Sequence, residues 1–388
     1  MSQGSRQEYL EKVRPRYGKA SRKYKKQILD ELCENCGYER KYAIKLMKKR
    51  KRTERQYPGP RATYGQDEQD VLERIWEHSE QMCSKRLKAC LEAWLPHYAK
   101  RYGELNVFVS RNLERISPAT IDRLLAPVRA RVERRNRCGT KPGKILRTQI
   151  PIRTDNWDIK QAGFLEADTV AHCGGSLAGD FIWSITYTDI LTGWTENRAV
   201  WNKGAKDVVL QTRDIEEKLP FEIKGFDCDN GGEFLNHHLV KYLLNRKRPV
   251  QFTRGRPYHK DDNAHVEQKN WSHVRQLLGY DRFENPETLD LINDLYKKEW
   301  ALLHNFFSPS FKLLSKCRIK SKYVKKYDTP KTPYRRLLAW RGLSKDRRTK
   351  LKAIYATLNP FALADEIERK LKLIFESNKA NRKLKRAS

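Results

Sequence analysis

The chain has 388 residues, with 80 Lys and Arg against 48 Asp and Glu and a formal net charge of +32. So large an excess of one sign is a liability without a polyanionic partner, and phosphate backbones are the common one, bound largely through counterion release. No stretch approaches the apolar length of a membrane span, and the amino terminus does not read as a signal peptide. Eight cysteines form no framework. Cys33 and Cys36 stand as a lone Cys-x-x-Cys with no histidine before His78, so they read as helix-end thiols, and a reducing cytosol fits.

The length allows roughly two to four domains, and the composition divides the chain at 1–56, 66–137, 138–156, 157–309 and 310–388. In the first stretch Ser21 caps a helix through Ile28, Leu29 and Leu32, Gly37 breaks it, and a second helix runs from Glu39 through Tyr42, Ala43, Leu46 and Met47. Helix, Gly turn and basic second helix make a helix-turn-helix candidate, with Arg40, Lys41, Lys45 and Lys48 facing DNA. Tyr57-Pro58-Gly59-Pro60 is a linker.

A second helical block follows, marked by Val71, Leu72, Ile75 and Trp76, then by Leu87, Leu91, Trp94 and Leu95. Ser117-Pro118 starts a helix through Ile121, Leu124, Leu125 and Val128. That helix is either a second recognition helix or a plain spacer. Residues 138–156 form a basic, irregular linker.

The middle third carries three acidic segments. In the first, Phe164 to Val170 reads as a strand, and Asp168 lies near its middle, where a carboxylate is costly without a cation or partner. In the second, Phe221 to Cys228 is a strand that Asp229-Asn230-Gly231-Gly232 breaks. In the third, Asn263 to Leu278 has helical spacing and carries Glu267. Between the first two, Asp180–Thr188 and Trp194–Trp201 read as strands around a turn at Asp189–Gly193, giving an antiparallel three-strand unit with the Phe164 strand. Lys206–Leu219 and Glu233–Asn245 read as helices, and Val250–Phe252 as a short strand. Glu166 and Asp227 each lie two residues from a candidate acid and share its strand face.

Asp168, Asp229 and Glu267 on two strands and a helix make a hard-oxygen site. It suits Mg²⁺ or Mn²⁺ rather than zinc, and two such ions clamp the attacking and leaving oxygens of a phosphoryl displacement. The ordered set resembles the integrase core shared by retroviral-type integrases and bacterial DDE transposases. The family's second motif, Asp-Asn-Gly-x-Glu-Phe, stands here as Asp229-Asn230-Gly231-Gly232-Glu233-Phe234. Its third, a catalytic Glu on a helix with Asn before and after, stands as Asn263-Ala264-His265-Val266-Glu267-Gln268-Lys269-Asn270. About 37 residues separate Asp229 from Glu267, close to the family's usual thirty-five or so. The motif register favours Asp168 and Asp229 over their neighbours.

The resemblance, over about Leu165 to Pro309, implies an α/β ribonuclease-H-like catalytic domain. All-α helix-turn-helix-like blocks precede it, and a basic helical C-terminal region follows. It implies a DNA transposase holding two Mg²⁺ (or Mn²⁺) ions on Asp168, Asp229 and Glu267. Such an enzyme cuts transposon ends, joins 3′-hydroxyls to target DNA, and acts as at least a dimer on double-stranded DNA. The loop Thr253–Asp262 contributes Arg254, Arg256, His259 and Lys260 as candidate DNA contacts. The retroviral lysines one and two turns after the Glu are replaced by Trp271 and Val274, leaving Lys269 and Arg275 as substitutes.

Beyond the core, Trp300–Phe307 is an aromatic closing helix. Lys312–Lys326 carries seven Lys or Arg and no acid, a phosphate track. Leu351–Leu373 reads as one amphipathic helix. The alternative functions are another ribonuclease-H-like nuclease or a non-catalytic, transposon-derived DNA-binding protein.

Overall fold

The computed structural model describes residues 2–48, 63–135, 159–228, 234, 236–254, 264–319 and 322–387. The chain divides into two compact units, Met1–Thr63 and Tyr64–Ser388. The linkers expected at Tyr57–Pro60 and 138–156, and the motif residues Asp229 to Glu233, lie outside the described residues.

The first unit has helices α1 (Gln3–Lys19), α2 (Arg22–Cys36) and α3 (Arg40–Lys48). Ser21 caps α2, its hydroxyl accepting from the Tyr24 amide. Gly37 ends α2 in the left-handed region at φ 65°, and its N–H reaches the Cys33 carbonyl at 2.9 Å, the conformation for which glycine is the low-cost residue. Leu10 and Val13 of α1, Ile28, Leu29, Leu32 and Cys36 of α2, and Ala43 and Met47 of α3 form one core. The expected helical hairpin is therefore two-thirds of a three-helix unit. Cys33 and Cys36 do sit in the last turn of α2.

The second unit opens with α4 (Gln66–His78), α5 (Ser84–Tyr102), α6 (Val107–Arg115) and α7 (Pro118–Arg135). Its centre is a five-stranded sheet of β1 (Phe164–Ala171), β2 (Ile182–Asp189), β3 (Thr195–Trp201), β4 (Gly225–Cys228) and β5 (Gln251–Arg254), ordered β3-β2-β1-β4-β5. Strands β1 to β3 are antiparallel neighbours, while β1, β4 and β5 run parallel. The β2–β3 turn is held by buried Asp189, which accepts from the Thr192 amide and hydroxyl at 2.8 and 2.6 Å and from the Gly163 amide at 2.8 Å.

Helix α8 (Ala205–Lys218) covers one sheet face, where Tyr187 bonds Thr212 at 2.8 Å and Arg198 bonds Asp214 at 2.5 Å. Helix α9 (His237–Leu244) packs beside it. The other face takes α10, which is helical over Ala264–Lys269, wider at the π segment Asn270–Arg275, and ends at Gln276–Leu278. It also takes α11, which starts at Pro286–Leu295 and carries π segments at Tyr296–Trp300 and Leu303–Phe307.

Edge strand β3 is closed by two asparagines of α11. Asn293 exchanges two hydrogen bonds with the Ala199 backbone at 2.8 and 2.9 Å, and Asn305 does the same at Thr195, both at 2.9 Å. Exposed edge groups are templates for unwanted pairing, and these side chains satisfy them instead.

Lys312–Lys326 is an antiparallel hairpin, β6 (Leu313–Ile319) with β7 (Lys322–Tyr327). The single helix expected over Leu351–Leu373 is in fact two, because Asn359 and Pro360 break it. The chain ends in α12 (Pro333–Ala339), α13 (Lys345–Thr357) and α14 (Pro360–Ala387). Pro cannot continue the preceding helix, and the Asn359 side chain caps the next at the Phe361 amide, 3.0 Å away. Phe361 packs on Trp94 and Tyr98 of α5, and Trp94 donates to the Phe307 carbonyl at 3.4 Å. The helical block, sheet and C-terminal helices thus share one core.

Candidate active site

Glu166 and Asp168 lie on the α10 face of β1. Glu166 is paired in register with Asp227 of β4, and Asp168 with Thr186 of β2, which in turn pairs with Asn197 of β3. A polar row, Asp168–Thr186–Asn197, therefore crosses three strands. Asn197 donates to the Thr186 hydroxyl at 2.8 Å.

Helix α10 docks on that row. Asn270 Nδ2 donates to Asp168 Oδ2 at 2.6 Å, and His273 Nδ1 lies 3.3 Å from Asn197 Oδ1. The start of the helix is fixed separately, where the Val266 N–H donates to buried Glu166 Oε2 at 3.0 Å. Val266 is in the first turn, whose amides have no partner within the helix. Glu166 fills that need, and a carboxylate also suits the positive end of the helix dipole. Asp227 is buried and accepts from the Thr253 hydroxyl of β5 at 2.7 Å. The two acids that sequence could not separate from the candidate pair thus hold a helix and a strand.

Asp168 is half-buried. Besides Asn270, its Oδ1 accepts from the Thr169 amide at 2.7 Å, so the carboxylate is oriented on both oxygens. Glu267 is exposed on α10, one turn before Asn270. Ala167 pairs with Cys228, the residue before Asp229, and Asp229 itself lies outside the described residues. Among the described residues no group of three His, Cys, Asp or Glu side chains converges on one point. The donor chemistry nevertheless fits a hard cation. Asp168 and Glu267 offer carboxylate oxygens, and beside Asp168 the buried Asn270 Oδ1 has no hydrogen-bond partner among the described residues.

The basic residues divide by environment. Arg40, Lys41, Lys45 and Lys48 are all exposed on α3, with Arg40 paired to Asp30. Arg256, His259 and Lys260 lie outside the described residues. The Arg254 backbone pairs with Cys228, and its side chain lies outside them too.

Lys269 is half-buried, not displayed on the surface, with its ammonium 3.4 Å from His273 Nε2. Burial, then the charges of Arg86 and Arg336, push its pKa down to about 7. Arg275 folds back on its own helix end, over the Tyr280 ring at 4.7 Å, with Nη1 3.4 Å from the Gly279 carbonyl. Sequence reasoning missed Asn270 and Glu166 as positioning residues. The one available signal was the Asn three residues after Glu267.

No protein-family model matches the chain. Among solved structures, the catalytic core domain of BIV integrase is similar at 15% identity and a TM-score of 0.29, over 45% of this chain and 93% of that one. No helix among the described residues is long and apolar enough to cross a membrane. The uncharacterized protein y4rM of Sinorhizobium fredii (strain NBRC 101917 / NGR234) is 36% identical over 344 residues, covering 87% of this chain and 96% of that protein. The chain belongs to the same family as y4rM of Sinorhizobium fredii.

Proposed function

We propose that the chain is a DDE-type transposase, cutting transposon ends and joining their 3′-hydroxyls to target DNA. The observation that carries the reading is the 2.6 Å hydrogen bond from Asn270 to Asp168. It ties the helix bearing Glu267 to the strand bearing Asp168, while the β1–β4 register brings β4 alongside up to the residue before Asp229. Two acids distant in sequence, Asp168 and Glu267, thus stand on a strand and on the helix docked across it, and Asp229 follows β4 in the sequence.

Asp168, Asp229 and Glu267 would hold the divalent ions. Bound there, such ions supply Lewis-acid stabilisation of the attacking and leaving oxygens. The protein's own part is placement. Thr169 and Asn270 fix the Asp168 carboxylate, Glu166 fixes the first turn of α10, and the exposed basic face of α3 binds duplex. In the joining step the 3′-oxygen forms a bond to a target phosphorus as that phosphorus loses its bridging 3′-oxygen. Water takes the proton of the attacking hydroxyl and returns one to the departing 3′-oxygen, and because the displacement is direct no covalent protein–DNA intermediate is needed.

The test uses duplexes from the DNA flanking the gene, a plasmid target and Mg²⁺. Asp168→Asn and Glu267→Gln are expected to bind the duplex as the wild type does and to lose nicking and joining by at least about a thousandfold. Chelation abolishes both activities, and added Mg²⁺ restores them in the wild type alone. An Asp168→Asn variant that joins strands near the wild-type rate would falsify the reading. Nicking without joining would favour a simple nuclease.

A further inference from the structure

Strands β6 and β7 form a sheet of their own, two-stranded among the described residues. Every residue of β7 is exposed, including Tyr323 at 49% and Val324 at 52%. A free two-stranded hairpin is marginal in water, yet this one is anchored at its base. Asp328 accepts from the Lys312 amide at 2.7 Å and from Arg336 Nη1 at 2.6 Å, and its own N–H donates to the Lys312 carbonyl at 3.0 Å. Asp328 is the first acid after Lys312, and it is engaged at the base. The ribbon beyond it carries only positive charge.

The register sets Arg318 opposite Tyr323, with the guanidinium 5.9 Å from the ring centre. Strand alternation puts Tyr323 and Lys325 on one face, and Lys322, Val324 and Lys326 on the other. Positive charge, an aromatic and exposed apolar groups on a narrow ribbon match one kind of surface. The major groove, about 12 Å wide, admits a two-stranded ribbon, whereas the minor groove, about 6 Å wide, is too narrow.

We infer that the β6–β7 ribbon enters the major groove of duplex DNA. Arg318, Tyr323 and Lys325 face the base edges, and Lys322 and Lys326 reach phosphates on the groove rims. The inference rests on the DNA-partner reading above and adds a binding element distinct from α3.

The test measures binding of the full chain to a 30-base-pair duplex across a salt series. Lys325→Ala with Lys326→Ala is expected to weaken binding at least tenfold near 0.1 M salt. The same change should flatten the salt dependence by roughly one phosphate contact, that of Lys326. Tyr323→Ala is expected to weaken binding without altering the slope. Guanine N7 methylation should weaken the wild type more than it weakens a Tyr323→Ala/Lys325→Ala variant, and a drug filling the minor groove should not displace the protein. All three positions are exposed, so unchanged melting temperatures verify folding. Equal affinity and slope in the variants, with wild-type binding intact, overturn the ribbon alone. Equal methylation sensitivity, or displacement by the minor-groove drug, overturns major-groove entry. Loss of a DNA-free dimer with unchanged DNA affinity would assign the ribbon to a second copy instead. A wild-type chain without duplex affinity overturns this inference and the proposed function together.

Discussion

Glu166, Asp168 and Asp227 share one face of the central sheet, yet their surroundings assign them different work. Glu166 holds the first turn of α10, Asp227 holds β5 through Thr253, and Asp168 alone is oriented by donors while still half-exposed. Residues two apart on a strand point the same way, so alternation could not rank them in the sequence. Only the partners separate them, about a hundred residues away for Glu166 and Asp168 and 26 for Asp227. Glu166→Gln keeps an acceptor for the Val266 N–H and is expected to cost about 1 kcal/mol with most joining activity retained. Glu166→Ala orphans that amide and should cost about 1–3 kcal/mol, read from denaturant midpoints. Asn270→Ala removes the tie between α10 and Asp168. It is expected to lower joining about a hundredfold, because small misplacements at a reacting centre are costly. Duplex binding should stay unchanged, and a rate within twofold of wild type would show that α10 is held without Asn270.

At the scale of elements, the core strands were legible from their β-branched and aromatic runs, and most helices from periodic apolar positions. The β-branched run from Ile182 to Thr188, the turn at Asp189–Gly193 and the Ser21 and Gly37 boundaries all carry local signals, and the elements stand where those signals put them. The strands β6 and β7 carry no such signal. Both faces of β7 are exposed, so no apolar–polar alternation marks it, and charge alone was visible. The π segments of α10 and α11 were equally hidden, since they arise where long-range contacts widen a helix. Asn293 and Asn305 fall in this class, ordinary helical residues until β3 is beside them. Each satisfies a backbone N–H and C=O pair on β3, so Asn293→Ala and Asn305→Ala are each expected to cost about 2–4 kcal/mol. The loss should appear as a lower urea midpoint with an unchanged slope. A drop under about 0.5 kcal/mol would mean that water replaces the asparagine at the sheet edge.

The whole molecule is governed by its charge. At +32 over 388 residues, protomers repel at any separation within the screening length, about 10 Å at 0.1 M salt. Joining two transposon ends to one target in a concerted event needs more than one active site. Under the proposed function, assembly has to overcome that repulsion, and DNA would supply the counter-charge. The exposed basic face of α3 stands in one compact unit and the β6–β7 ribbon in the other, so one duplex end has two independent basic surfaces to engage. The DNA-free chain is accordingly expected to sediment as a monomer at low protein concentration. With paired end duplexes at low salt it should sediment as a dimer or larger complex that dissociates steeply as salt rises. Removing charge from α3, as Lys41→Ala with Lys45→Ala, should raise the DNA concentration needed for assembly while leaving the catalytic acids untouched. A chain that performs concerted joining while remaining monomeric on DNA would refute the assembly, and a salt-resistant, DNA-free dimer would show that protein contacts alone drive it.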